Sequence, residues 1–254
     1  MDFQRYFLRL AYDGTRFHGW QRQPNAITVQ QTLEEAMSLV LRQNVVLTGA
    51  GRTDTGVHAD EFFAHFDLNY TTGKAERDKT IFRLNAYLGS DIALYDLIPV
   101  IPSAHARFSA LSRMYRYRIA RLKDPFRKDY VHLEHGKINH ELMNQGAALI
   151  MGYDDFTSFS KVDTDTMTNN CKITHAEWVV EGSELVFTIT ADRFLRNMVR
   201  AIVGTLLALG KGKISLEELG EIVESKNRSN AGDSAPAKGL TLYKILYPPY
   251  IYAI

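Results

Sequence analysis

One carboxylate, Asp54, lies in a glycine-bounded segment, residues 51–58 (GRTDTGVH), that directly follows a short apolar run. Glycines permit tight turns with positive φ, so the pattern predicts a loop leaving a strand. Arg52 lies two residues before Asp54 and favours its ionised form. An ionised carboxylate presented on a loop is suited to act as a nucleophile. The alternative is a salt-bridged turn that performs no chemistry.

A basic and aromatic segment occupies residues 105–128. It holds eight Lys or Arg residues against one acid, Asp124, although the whole chain has a net charge of only +1. Four aromatic rings are interleaved with these cations: Phe108, Tyr115, Tyr117 and Phe126. Cations for phosphates and rings for base stacking favour RNA recognition, with Arg107 a candidate backbone contact. The alternative is a solvated strand face, because alternation separates Tyr115 and Tyr117 from the neighbouring arginines.

The composition is that of an ordinary globular protein, with 254 residues, 45% hydrophobic and 23% charged. A single cysteine, Cys171, excludes a disulfide within the chain and a cysteine-based metal cluster. The first residues lack a signal-peptide pattern, and the longest apolar stretch is too short for a membrane span. We therefore expect a cytoplasmic protein without a membrane segment.

Hydrophobic periodicity predicts an α+β protein with a mostly antiparallel sheet. Expected strands cover residues 3–11, 45–48, 60–68, 92–97, 114–119, 175–180, 185–191 and 240–247. Expected helices begin after Thr28, near Lys79, after Asn139, at Phe194 and after Ser215, which forms a capping box with Glu218. The order of these elements suggests two similar halves, residues 1–122 and 123–254.

Several separated motifs resemble those of the tRNA pseudouridine synthase A family. Residues 51–59 resemble its catalytic motif, and residues 12–23 (YDGTRFHGWQRQ) its N-terminal signature. Residues 105–110 (HARFSA) with 115–117 (YRY) are similar to its central motif. The segments 155–159, 194–200, 239–242 and 247–248 follow in the family's order. The likeness extends over nearly the whole chain.

The resemblance implies an isomerase that converts uridine to pseudouridine at positions 38, 39 and 40 of the tRNA anticodon stem-loop. It implies two halves around a shared central sheet, an active-site cleft between them, and a homodimer in which each tRNA contacts both subunits. No cofactor and no metal are expected, since the reaction needs neither redox chemistry nor energy input.

The resemblance also carries roles onto individual residues. Asp54 becomes the nucleophile, and Arg52, whose planar cation can stack and bind phosphate, takes the base-flipping role. Tyr115 becomes the active-site tyrosine, and Arg200 the partner of Asp54. Leu242 corresponds to a leucine that packs on the flipped base. From their own chemistry, Tyr115 and Leu242 could equally be ordinary strand or core residues.

Three positions depart from the family pattern. Thr55 stands where alanine is frequent, and Met114 stands where a basic residue is common. The segment 161–172 contains Asp163 and Asp165 and is only weakly basic. Thr55 is a small change next to the nucleophile, whereas Met114 and the segment 161–172 bear on the affinity for tRNA.

Two other functions compete with the isomerase. A non-catalytic RNA-binding or RNA-folding module would explain the basic segment but gives Asp54 no role. A hydrolase would use Asp54 but lacks a recognisable oxyanion or metal site. His58, His65 and His105 lie in different segments without metal-ligand spacing, and we expect them to be structural or RNA-contacting.

Overall fold

The structure is a computed structural model that describes residues 3–161 and 167–252. Asp163 and Asp165 of the weakly basic segment lie outside the described residues. The chain forms two compact units, the first comprising Met1–Leu111 with Leu242–Ile254 and the second Ser112–Thr241.

The described elements confirm the α+β class, with five α-helices and a largely antiparallel set of strands. The strands are β1 Gln4–Tyr12, β2 Thr48–Gly49, β3 His58–Leu68, β4 Ile92–Val100, β5 Ser112–Ala120, β6 His132–Leu133, β7 Ile173–Glu181, β8 Glu184–Ala191 and β9 Leu240–Leu246. The helices are α1 Val29–Leu41, α2 Lys74–Tyr87, α3 His140–Ile150, α4 Met198–Gly210 and α5 Leu216–Glu224. Short 3₁₀ turns cover Thr157–Phe159, Arg228–Asn230, Ala237–Gly239 and Pro249–Ile251.

In the first unit, β1 pairs antiparallel with both β3 and β4, and β2 pairs antiparallel with β3. Successive residues of β1 and β3 are buried, so both faces of these strands are covered, and Phe7, Leu8 and Phe62 are fully buried. Leu33 and Met37 of α1 are also fully buried, so the helix covers the unit with its apolar face.

In the second unit, β8 pairs antiparallel with β5 and β7, while β6 pairs parallel with β5. Tyr115 of β5 is opposite Ile189 of β8 in this register. Trp178 and Phe187 stack with ring centroids 4.7 Å apart and form part of the core. The predicted similarity of the two halves stays a prediction.

The predicted helix caps are present. Thr28 and Asn139 accept hydrogen bonds from Gln31 and Leu142 at the starts of α1 and α3. Ser215 and Glu218 form the reciprocal capping box that begins α5. These side chains satisfy backbone N–H groups that have no partner within the first helical turn.

The strand predicted at residues 45–48 is wrong apart from its last residue, because strand structure begins at Thr48. Side chains of α1 bind the backbone instead: Ser38 Oγ accepts the Val45 N–H at 3.0 Å, and Glu34 accepts the Leu47 N–H at 2.9 Å. The segment before the Asp54 loop is thus fixed to a helix rather than to a strand ladder.

The helix predicted from Phe194 begins later, at Met198. Asn197 has a φ of 66°, and this left-handed conformation interrupts helical backbone at that point. Residues 194–197 therefore form a separate segment that leads into α4.

Candidate active site

The loop that carries Asp54 connects β2 to β3 and is closed by its own backbone. The N–H of Val57 donates to the carbonyl of Asp54 at 3.1 Å, and the N–H of Ala50 donates to Phe63 at 2.7 Å. Gly56 has a φ of 76°, a conformation that favours glycine. Asp54 is half-buried in this turn.

The N-terminal signature holds the loop on both sides of Asp54. The hydroxyl groups of Tyr12 and Thr53 are 2.8 Å apart, and the N–H of Trp20 donates to the carbonyl of Thr53 at 3.2 Å. Beyond Asp54, the N–H of Gly56 donates to the carbonyl of Phe17 at 3.3 Å. Two motifs that are far apart in sequence therefore form one frame around the carboxylate.

Two glycines of the signature allow this close approach. A Cβ on Gly19 would lie 2.4 Å from the carbonyl oxygen of Thr53, and Gly19 has a φ of 84°. A Cβ on Gly14 would lie 2.1 Å from the carbonyl oxygen of Val57. Both positions require glycine because any side chain would push the Asp54 loop away.

His58 contributes to the same frame as a hydrogen-bond acceptor. Its side chain is buried, and its Nδ1 accepts the N–H of Gly14 at 3.1 Å. This contact supports a structural role at the point where the loop enters β3.

Arg52 is exposed on the surface of the loop, while its neighbour Thr53 is buried. The Arg52 side chain is therefore accessible to solvent on the loop that carries Asp54. Leu242, on β9, is buried at 2% exposure. Arg107 and Phe108 are both exposed, and the Arg107 guanidinium lies over the Phe108 ring at 5.4 Å.

In the second unit, Tyr115 is half-buried on β5 and meets the ring of Phe194 edge-on at 5.1 Å. Phe194 belongs to the segment that leads into α4, whose first turn contains Arg200. The Nε of Arg200 donates to the carbonyl of Ala235 at 2.7 Å, and the Ala235 N–H donates back to the Arg200 carbonyl at 2.9 Å. The Arg200 side chain is thus oriented by the loop before β9.

Tyr117 and Gly239 shape the loop before β9, and neither was among the predicted site residues. Tyr117 is buried and donates its hydroxyl to the carbonyl of Pro236 at 2.9 Å. Burial raises the pKa of Tyr117, and the nearby charge of Arg200 opposes that rise. A Cβ on Gly239 would lie 2.7 Å from the Tyr117 ring. The available signal was the strand alternation that places Tyr117 on the same face as Tyr115.

None of the described helices is long and apolar enough to cross a membrane. Across residues 3–161 and 167–252, no group of three or more His, Cys, Asp and Glu side chains is arranged to hold a metal ion.

The fold and the candidate site define a class of protein: an α+β chain that presents one carboxylate on a rigid loop. Comparison with known proteins identifies the family. A family model described as tRNA pseudouridine synthase matches residues 147–248. A relative from Porphyromonas gingivalis, named tRNA pseudouridine synthase A, is 52% identical over 98% of this chain and 99% of its own length.

Two further relatives carry the same name. The protein from Parabacteroides distasonis is 48% identical over 99% of both chains. The protein from Bacteroides fragilis is 50% identical over 99% of this chain and 100% of its own. The chain belongs to the tRNA pseudouridine synthase A family, which confirms the resemblance inferred from its motifs.

Proposed function

We propose that the protein isomerises uridine to pseudouridine in tRNA, at positions 38, 39 and 40 of the anticodon stem-loop, with Asp54 as the nucleophile. The observation that carries this proposal is the frame around Asp54. Hydrogen bonds fix the residues on both sides of Asp54, and glycines bring the N-terminal signature against the backbone of its loop. Such preorganisation is what a positioned nucleophile requires.

The reaction needs no atoms from outside the substrate. The N1–C1′ bond breaks, the uracil rotates, and a new bond joins C1′ to C5, while a proton leaves C5 and N1 gains one. A carboxylate can assist by attacking the sugar, by attacking the base, or by taking a proton from C2′. All three routes need an ionised Asp54 within reach of the nucleotide.

A uridine within a stem must leave the stack before it can reach Asp54, which costs a few kcal/mol. In our proposal Arg52 fills the vacated space and binds the displaced phosphate. Its exposure on the Asp54 loop supports this role, because an arginine buried in an ion pair could not enter a helix.

Tyr115 and Arg200 take their roles from the family. We assign Tyr115 to stacking on the uracil or to proton transfer through its hydroxyl, and Arg200 to pairing with Asp54. The contacts with Phe194 and Ala235 support both assignments, because each holds a functional side chain in one orientation. Leu242 takes from the family the role of packing on the extruded base, although its side chain is buried, at 2% exposure.

The wider assembly follows the family as well. We propose a cytoplasmic homodimer in which each tRNA contacts both subunits, and a chain built from two halves, residues 1–122 and 123–254. A second subunit would add cations to a chain that has 30 Lys and Arg residues against 29 Asp and Glu residues. Sedimentation of the pure protein, with and without tRNA, tests the dimer.

The decisive experiment incubates the pure protein with unmodified tRNA, without added metal or nucleotide, and maps pseudouridine. We expect modification at positions 38–40, and none with Asp54→Asn, which keeps the size of the side chain but removes its charge. Both proteins should bind tRNA.

Two outcomes would support the competing functions. Binding of tRNA without any pseudouridine from the unaltered protein would favour an RNA-binding module. Release of free uracil would favour a hydrolase.

A further inference from the structure

A short turn in the first unit, residues 105–109, exposes an aromatic ring and a cation together. Phe108 is 74% exposed, an unusual position for so large an apolar side chain. The Arg107 guanidinium lies 5.4 Å from the centre of its ring, and the His105 ring lies 4.4 Å from it. We call these residues the 105–109 turn.

The 105–109 turn is held by its own hydrogen bonds. Nδ1 of His105 accepts the N–H groups of Arg107 at 3.1 Å and Phe108 at 3.3 Å. Ser109 closes the turn, donating its N–H to the His105 carbonyl at 2.9 Å and accepting the His105 N–H at 3.0 Å through its hydroxyl. The backbone that presents the ring is therefore ordered before any ligand arrives.

Core residues anchor the same turn. Nδ1 of the buried His65 accepts the N–H of Ala106 at 3.1 Å, and the Tyr247 hydroxyl donates to the Ala106 carbonyl at 2.5 Å. The His65 and His105 rings meet edge-on at 4.6 Å. Burial, with the charges of His105 and Arg5, lowers the pKa of His65 to about 4. His65 is thus neutral near pH 7, as an acceptor must be.

The 105–109 turn and Asp54 are bound to different parts of β3. The Asp54 loop begins beside Phe63, whose carbonyl accepts the Ala50 N–H, but the Asp54 carbonyl accepts the N–H of Val57, the residue before β3 begins at His58. Ala106 is bound by His65, seven residues beyond His58 on the same strand. At about 3.3 Å per residue, the separation along β3 is on the order of 20 Å. We therefore assign Phe108 to a nucleotide other than the one that reacts at Asp54.

We propose that Arg107 and Phe108 form a second RNA contact, in which the ring stacks on an unpaired base and the guanidinium binds a neighbouring phosphate. This nucleotide is a different one from the uridine that reacts. His65, His105 and Tyr247 are positioning residues for the contact. The inference rests on the proposed function, because it takes tRNA as the ligand.

The chemistry of the turn selects this ligand. Every base has a π face, so one exposed ring accepts an unpaired nucleotide of any sequence. A guanidinium beside the ring suits the phosphate that accompanies each base. Because the contact forms away from the reacting atoms, it should stabilise the bound substrate and the transition state equally, and so change KM rather than kcat.

The test compares Phe108→Ala with Phe82→Ala in steady-state pseudouridine formation on full-length tRNA. Phe82, on α2, is 75% exposed and serves as the matched control. We expect Phe108→Ala to raise KM about 10-fold with kcat within about 2-fold of the unaltered value, as the loss of one stacked base predicts. Phe82→Ala should change neither parameter.

A second pair of variants tests the positioning residues. His105→Ala removes the acceptor of the turn and should raise KM as Phe108→Ala does. His105→Asn keeps an acceptor near the Nδ1 position and should restore most of the affinity. Thermal melting of each variant separates a displaced turn from an unfolded protein.

Three results would overturn the inference. Phe108→Ala with an unchanged KM would show that the ring does not contact RNA. A loss confined to kcat would place the turn in the catalytic step. Dissociation of the Phe108→Ala protein in sedimentation would show that the ring binds a protein partner. Failure of the proposed function itself would be distinct, because the unaltered protein would then make no pseudouridine.

Discussion

Gly19 lies so close to the carbonyl oxygen of Thr53 that a Cβ on residue 19 would be 2.4 Å from it. We expect Gly19→Ala to lower kcat by about 100-fold, because a shift of the nucleophile by about 1 Å has that effect. It should also destabilise the fold by about 2 kcal/mol, since alanine is strained at a φ of 84°. Single-turnover kinetics and urea unfolding measure the two effects.

The control for this variant is Gly89→Ala. A Cβ at Gly89 meets no atom within 4 Å, so this substitution should leave both measurements unchanged. Equal turnover of Gly19→Ala and Gly89→Ala would show that the contact with Thr53 does not position Asp54.

The hydrogen bond between the Tyr12 and Thr53 hydroxyl groups can be removed with little change in shape. Thr53→Val removes the hydroxyl but keeps the shape, leaving the buried Tyr12 hydroxyl without this partner. We expect about 1–2 kcal/mol of lost stability and roughly a 10-fold lower kcat. Thr53→Ser keeps the hydroxyl and should remain close to the unaltered protein. If Val and Ser variants turn over equally, the hydrogen bond has no part in positioning the loop.

The glycine spacing around Asp54 was sufficient to predict a loop with a presented carboxylate. It could not predict the frame, because the contacts of Thr53 with Tyr12 and Trp20 join residues more than 30 positions apart. Such contacts depend on tertiary packing, and no local pattern encodes them. The resemblance to a family supplied the motifs but not the hydrogen bonds between them.

The helix predicted to begin near Lys79 begins at Lys74. The boundary errors at residues 45–48 and at Phe194 have similar causes. The apolar residues Val45 and Leu47 suggested a strand, but side chains of α1 take their backbone N–H groups. The apolar segment after Phe194 suggested continuous helix, but Asn197 adopts a left-handed conformation. Both outcomes depend on contacts or backbone conformations that hydrophobic periodicity does not report.

Arg52 should matter for turnover more than for affinity. We expect Arg52→Ala to lower kcat about 100-fold while tRNA binding changes less than about 3-fold, because its role falls after the initial encounter. Arg52→Lys keeps the charge but not the planar group, and should stay impaired. Arg83→Ala, at an exposed site on α2, is the control. Unimpaired turnover in Arg52→Ala would remove this residue from base flipping.

A substitution at Tyr115 can separate the contribution of its ring to turnover from that of its hydroxyl. Tyr115→Phe keeps the edge-on contact with Phe194 and removes only the oxygen. If the hydroxyl transfers a proton, we expect kcat to fall about 100-fold with tRNA affinity retained. Tyr250→Phe, at a site 74% exposed, should have no effect. Full activity of Tyr115→Phe would restrict Tyr115 to stacking.

Because the pKa of His65 is lowered, we expect the protein to lose stability in acid. Burial and the charges of His105 and Arg5 lower its pKa from 6.5 to about 4, while Asp67 opposes the shift. Between these values the unfolded chain binds a proton that the folded protein does not, so stability rises with pH. The contribution of neutral His65 to the free energy of unfolding is fully present above about pH 6.5 and falls as the pH decreases. Below pH 4 the protein has lost about 3 kcal/mol of stability from this group.

Urea unfolding at pH 7 and at pH 4.5 measures this loss. The pKa of His105 is lowered in the same way, mainly by burial, so both imidazoles act in one direction. His65→Asn removes one titrating group while keeping an oxygen that can accept the Ala106 N–H. The variant should therefore lose less stability between the two pH values than the unaltered protein. An equal loss in both proteins would show that the protonation of His65 does not oppose folding.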